Sequence, residues 1–246
     1  MSSPVDFQRI RLPKLEKREA TIVENPRLVA LLELAETTRL YALLVLADAS
    51  GCRHGELLAL LWPDFQTGAM NVTKSLEETK AGLRVKSTKS GKDRRLVLPA
   101  FALDALRAHK LVQDRDKELY GSDYEDNGLI FCRPDGSYYK PDKVSVRVTE
   151  LARKCGLPPG VGLHALRHTH ASGLLSKGVP LPAVSKRLGH ANPNITAQIY
   201  LHALEANEVA AAKIWNDAMA DVISESRKAG KSGVLGNART KLTKAG

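Results

Sequence analysis

The sequence predicts a mainly helical α+β fold with one small three-stranded antiparallel sheet. Three observations point to it. Apolar residues recur at three- and four-residue intervals along most of the chain, the spacing of amphipathic helices. Residues 69–98 instead alternate apolar and polar, with Gly82 and Ser90-Gly91 between the alternating runs, which is the pattern of short strands and turns. Glycines stand where helices have to stop, above all Gly51 and Gly189.

Residues 1–22 are polar, basic and interrupted by proline, and read as a leader or linker stub. Asn25-Pro26 opens a helix through Leu34, with Asn as cap and Pro in the first turn. A second helix is expected from Glu36 to Ala49, with Leu40, Leu43, Leu44 and Ala47 on one stripe and Gly51 ending it. Another begins in the run from Cys52 to Trp62. Strands are expected at 69–75, 83–88 and 94–98, forming a meander whose second turn is crowded by Lys86, Lys89, Lys92, Arg94 and Arg95.

Ala100 to Leu119 reads as a long helix with Leu103, Leu106, Leu111 and Val112 on its apolar side. A polar loop over 120–127, a short strand at 129–131, a turn at 134–136 and a helix from Pro141 to Cys155 follow. The stretch from Gly162 to Tyr200 holds a helix carrying His164 and Arg167, a short helix started by Pro182 and stopped by Gly189, and a further short helix ending near Tyr200. Glu205 to Ser224 is an Ala-rich helix with Val209, Ile214, Trp215 and Met219 as its apolar positions. These elements make one domain over 23–224, followed by a basic tail over 225–246 whose composition predicts disorder.

Composition narrows the partners. With 37 Lys and Arg against 27 Asp and Glu, the net charge is +10, which favours a polyanion bound through its phosphates. Three cysteines, Cys52, Cys132 and Cys155, form no C-x-x-C pair and read as reduced thiols of a cytoplasmic protein. No apolar run approaches the ~20 residues that span a bilayer, so no membrane association is expected.

Several residues point to phosphodiester chemistry. Taken alone, Arg53 and Glu56 are an i,i+3 surface ion pair worth a few tenths of a kcal/mol. Between the Gly51 stop and the Leu-rich run that follows, they read instead as an arginine held at a buried helix mouth and oriented by Glu56. His164 and Arg167, three apart, share a helix face, with Leu163, Leu166 and Leu174 anchoring the other. A tyrosine attacking phosphorus must lose a proton from a phenol whose ordinary pKa is about 10. Two guanidinium forks can clamp the non-bridging oxygens without a metal. An ammonium can protonate the leaving oxygen, and imidazoles can take the phenol proton or bond a phosphate oxygen. Arg53, Arg167, Lys89, His164, His190 and Tyr200 fill these roles, with Lys86 and Lys92 as competitors for Lys89. A zinc site at His164, His168 and His170 is disfavoured, because no Cys or acid stands at ligand spacing; neither metal nor other cofactor is expected.

The runs GCRHGELLALLW, TKSGKDRRLVLP, GLHALRHTHASGLL and LGHANPNITAQIY, in that order, resemble the catalytic domain of the tyrosine recombinases, the phage-integrase family, over residues 25–205. The resemblance implies that fold, and site-specific DNA recombination, integration or excision, through a 3′-phosphotyrosyl intermediate. In it Arg53 and Arg167 would bind the scissile phosphate and Lys89 would be the general acid. His164 would be base or hydrogen-bond partner, His190 a phosphate contact, Tyr200 the nucleophile and Glu56 a structural support. Neither ATP nor metal would be needed. Double-stranded DNA would be the partner, bound as a tetramer by a chain that is monomeric in isolation, with the helix after Tyr200 docking on a neighbouring protomer or on its own core. Family members usually carry an N-terminal clamping domain. Without one, DNA binding is expected to be weak and salt-sensitive. A type IB topoisomerase, or a DNA-binding protein that has lost catalysis, are the competing readings.

Overall fold

The computed structural model describes residues 22–88, 93–159, 161–192, 194, 196–197 and 208–230. The expectations for the leader, for Lys89 and Lys92, for Tyr200 and for the chain after residue 230 lie outside the described residues. Among those described, helices α1 (Asn25–Ala35), α2 (Tyr41–Ser50) and α3 (His54–Leu58) come first, then strands β1 (Phe65–Gln66), β2 (Ala69–Val72), β3 (Lys74–Thr79), β4 (Gly82–Ser87) and β5 (Arg94–Val97). Helices α4 (Ala100–Tyr120), α5 (Pro141–Lys154), α6 (Leu163–Ser176), α7 (Leu181–Leu188) and α8 (Glu208–Gly230) follow.

Helix α2 is the centre of the core. Leu43, Leu44 and Leu46 are fully buried, and α1, α4 and α6 all pack on it. It starts at Tyr41, five residues later than the expected Glu36. The Thr38 hydroxyl donates to the Ala35 carbonyl at 2.7 Å and accepts the Leu40 N–H at 3.2 Å, a local turn that competes with helix. Gly51 stops α2 at φ 64°, in the left-handed region. Glu24, not Asn25, is the N-cap residue of α1, with Pro26 in the first turn.

The small three-stranded antiparallel sheet is present, but its order is β1-β2-β5, and β3-β4 form a separate hairpin. The expected meander is thereby corrected. Its first strand breaks at Thr73, so that β2 pairs with β5 and β3 pairs with β4. Burial decides this. All six β4 residues are exposed, so a third strand laid on β4 would cover no core, whereas Met70 and Val72 of β2 are buried opposite Leu96 and Arg94 of β5. The run 129–131 makes only the bridge Leu61↔Leu129 rather than a strand.

Helix α4 also departs from its apolar reading. Leu111 is 64% exposed and Val112 also faces solvent. The buried positions beyond the helix midpoint are polar, Gln113 and Asp116. Gln113 accepts from the Trp62 indole N–H at 2.6 Å and donates to the Leu129 carbonyl at 2.9 Å, and Asp116 takes both arms of the Arg39 fork. Buried polar groups of this kind persist because each finds a partner. Helix α8 runs to Gly230, past the expected end at Ser224.

Candidate functional site

The C-terminal ends of α2 and α7 meet at the start of α3. That meeting point gathers the charged residues of the central stretch. Arg53 is the N-cap residue of α3. Its backbone N–H donates to Glu56 Oε2 at 2.8 Å and its Nη1 to Glu56 Oε1 at 2.9 Å, while Nη2 reaches the Gly189 carbonyl at 3.2 Å. The ion pair read from the sequence is therefore not a surface pair. Glu56 is 1% exposed and Arg53 29%. Burial alone would raise the Glu56 carboxyl, but hydrogen bonds and charge from Arg94, with those of Arg53, outweigh it and hold the group below the usual carboxylate range.

Arg167 lies on α6 in the inward phase, beside the buried Leu163 and Leu166. It is 2% exposed. Its Nη1 donates to the Gly51 carbonyl at 2.6 Å and its Nη2 to the Leu188 carbonyl at 2.8 Å. Gly51 and Gly189 are left-handed helix stops, so both α2 and α7 end with carbonyls turned toward the guanidiniums. Burial, then the charge of Arg53, brings Arg167 down to about 10, so it remains cationic at neutral pH. Among the described residues Arg167 has no carboxylate in an ion pair, so it is a buried positive charge held by neutral dipoles.

The imidazoles line the same region. His164 is exposed on α6, and burial of part of its ring, then Arg167 and Arg53, lower its pKa. His168 stacks edge-on to it at 4.6 Å between ring centres. Burial, then His164 and Arg167, bring His168 down to about 4. His190 follows the Gly189 stop, and its Nδ1 shares a 2.7 Å hydrogen bond with the Thr196 hydroxyl. Burial, then Arg167 and Arg53, bring it down to about 4 as well. Burial, reinforced by the nearby guanidiniums, thus lowers all three rings and holds His168 and His190 neutral at neutral pH.

The structure brings together Arg53, Glu56, His164, Arg167 and His190 of the residues read from the sequence. Lys89 and Tyr200 lie outside the described residues. Lys86, a competitor for the ammonium role, is ion-paired with Glu77 on the neighbouring strand. Sequence reasoning missed Arg94 and Arg187. Arg94 is 6% exposed and gives two hydrogen bonds to Glu56. Its signal was present: in the alternation of β5 it falls in phase with Leu96, a charge at an inward-facing position. Arg187 donates from Nε to His170 Nε2 at 2.9 Å and from Nη2 to the Ala49 carbonyl at 2.9 Å, and so braces α7 against α2. Among the described residues no cluster of His, Cys, Asp and Glu has the geometry to hold a metal ion.

A family model described as the phage integrase family matches residues 22–207. A tyrosine recombinase XerC-like protein of Caldanaerobacter subterraneus subsp. tengcongensis is 31% identical over 195 residues, which are 73% of this chain and 49% of that protein. The chain thus spans about half the length of that curated relative. The crystal structure of XerA recombinase aligns with a TM-score of 0.60 at 24% identity, covering 82% of this chain and 66% of the other. That of XerH site-specific recombinase bound to palindromic difH substrate, a post-cleavage complex, aligns with a TM-score of 0.57 at 26% identity, covering 81% and 54%. The order of motifs, the helical fold with its small antiparallel sheet and the match over most of its length agree: this chain belongs to the phage integrase family.

Proposed function

We propose that the chain carries the catalytic part of a site-specific DNA recombinase that cuts and rejoins DNA through Tyr200. The observation that carries this reading is the buried Arg167, a cation without a carboxylate partner among the described residues, standing beside the half-exposed Arg53. Two guanidinium forks of net positive charge at one helix junction suit a dianion-like phosphorane better than any neutral substrate. The net charge of +10 supports a DNA partner, and the XerH relative is bound to its difH substrate.

In this reading the Tyr200 oxygen forms a bond to phosphorus as the bond from phosphorus to the 5′ oxygen breaks. The phenol proton passes to His164 or water, and Lys89 protonates the departing 5′ oxygen. Arg53 and Arg167 hold the non-bridging oxygens, and His190 bonds one of them. Its Nδ1 is occupied by Thr196, which orients the ring. The covalent 3′-phosphotyrosyl bond keeps the energy of the broken diester, so rejoining needs no ATP.

Assembly as a tetramer on DNA belongs to the same proposal. Ile214 and Trp215 of α8 are each 69% exposed, and Val222 and Ile223 also face solvent, which suits docking on a neighbouring protomer. A chain cut after residue 204 is expected to bind DNA without cooperativity; intact cooperativity would refute the docking. A cytoplasmic setting fits, and no helix among the described residues is long and apolar enough to cross a membrane.

The test of the reaction is a suicide substrate nicked beside the cleavage position of a candidate attachment sequence. A covalent protein–DNA adduct that disappears in Tyr200→Phe supports the enzyme. No adduct under any condition would leave a DNA-binding protein, and relaxation of supercoils without site preference would favour a topoisomerase.

A further inference from the structure

Glu56 is one carboxylate shared by two guanidiniums. Its Oε1 accepts from Arg53 Nη1 at 2.9 Å and from Arg94 Nη1 at 3.2 Å. Its Oε2 accepts from the Arg53 backbone N–H at 2.8 Å and from Arg94 Nη2 at 2.6 Å. Each carboxylate oxygen thus has two donors, which uses the lone-pair directions available. Arg94 goes further. Its Nε donates to the Arg187 carbonyl at 3.0 Å, two residues before the Gly189 carbonyl that Arg53 holds. Its Nη2 also approaches Cys52 Sγ at 3.5 Å, next to Arg53 in the chain. One side chain from β5 therefore ties together α3, the end of α7 and the segment after α2, which are the three elements that frame Arg53.

Arg94 is too deeply buried to meet a DNA phosphate, whereas Arg53 is not. Resting on the reaction proposed above, we propose that Arg94 is a positioning residue for Arg53, acting through the shared carboxylate of Glu56. One physical effect supports it. A buried carboxylate with Arg53 as its one cationic partner would close on that fork and draw it inward, away from an incoming anion. With Arg94 holding the inner side, the three groups keep a net charge of +1, and Arg53 is held at the open edge by single contacts.

The test uses the full chain and the nicked suicide substrate at saturating DNA. Arg94→Lys keeps the charge and loses the fork. Its rate of adduct formation should fall about 10- to 100-fold beyond any loss of folded fraction, the scale of a small misplacement of a reacting group, with DNA affinity close to that of the parent. Arg94→Ala should lose still more rate and regain part of it when guanidinium ion is supplied at concentrations that leave the parent folded. Guanidinium should do nothing for Arg94→Lys, whose ammonium occupies the space. A parental rate in Arg94→Lys would overturn the inference. So would losses of rate that only follow the folded fraction in both variants, since that is a structural role alone. If the parent chain itself forms no adduct, the proposed reaction fails and this inference fails with it.

Discussion

Arg53 and Arg167 hold consecutive carbonyls of one turn: Arg53 Nη2 lies 3.2 Å from the Gly189 oxygen and Arg167 Nη2 lies 2.8 Å from that of Leu188. The end of α7 is thus the common anchor of both guanidiniums, although the two residues are 114 positions apart in the chain (167 − 53). His190 follows directly on that turn, so the placement of one imidazole is linked to both forks.

Arg167→Lys should be the most damaging conservative change. A lysine keeps the charge but cannot reach the Gly51 and Leu188 carbonyls and still present a fork. The rate of adduct formation on a suicide substrate should fall about 100-fold or more, as when one preorganised donor is removed from a charge-stabilising site. A rate within about threefold of the parent would remove Arg167 from the chemistry.

Glu56→Ala should act on stability before activity. It leaves Arg94 buried without its counter-charge and Arg53 without its orienting partner. Loss of one member of a buried ion pair costs about 3–5 kcal/mol. Urea unfolding should show this loss. A change below about 1 kcal/mol would mean that water reaches the Arg94 fork.

Stability should fall in mild acid. His168, His170 and His190 are each brought down to about 4, burial being the first cause in all three. The unfolded chain therefore takes up protons below about pH 6.5 that the folded chain refuses. Their contribution is complete above that pH and is lost as pH falls toward 4. Asp48 works the other way. Burial raises it to about 6, so its ionisation penalises the folded state as pH rises through 6. Three imidazoles outnumber one carboxyl, so the melting temperature should drop between pH 7 and pH 4.5. Asp48→Asn should raise it at pH 8 and leave it nearly unchanged at pH 4. Calorimetry across that range checks both signs.

Gly189→Ala should weaken the site's frame. The residue has φ 68°, and an added Cβ would come 2.8 Å from Arg94 Nη1 and 3.1 Å from its Cζ. Backbone strain costs about 1 kcal/mol, and the Arg94 fork must shift as well. We expect both a lower melting temperature and slower cleavage. A variant with parental stability and rate would show that the turn can relax without moving Arg94.

Much of this protein could be read without coordinates. Periodicity placed helices close to their observed positions, from α1 through α7, because each buries one face and the apolar spacing records that face. The stops at Gly51 and Gly189 were legible because a left-handed helix end favours glycine. That Arg53, His164, Arg167 and His190 lie together was foreshadowed by their residue types and order, which is why they are the groups proposed to meet a phosphate. Strand partners were not legible. Period-2 alternation says which face a strand buries and nothing about its neighbour, so the break at Thr73 and the pairing of β2 with β5 came from which strands had core to cover. The second half of α4 misled because buried Gln113 and Asp116 look like surface residues until Trp62 and Arg39 are seen to satisfy them.

By itself the sequence determined the helical class, which follows from local spacing, and through the resemblance of its motifs it pointed to the family and to the groups proposed to work on a phosphodiester. Only the tertiary structure decided that Arg94 shares the carboxylate of Glu56 and that Arg53 and Arg167 rest on one turn. A contact between a strand, a helix start and a helix end depends on chain segments far apart in sequence, and its energy exists only once the core has brought them together.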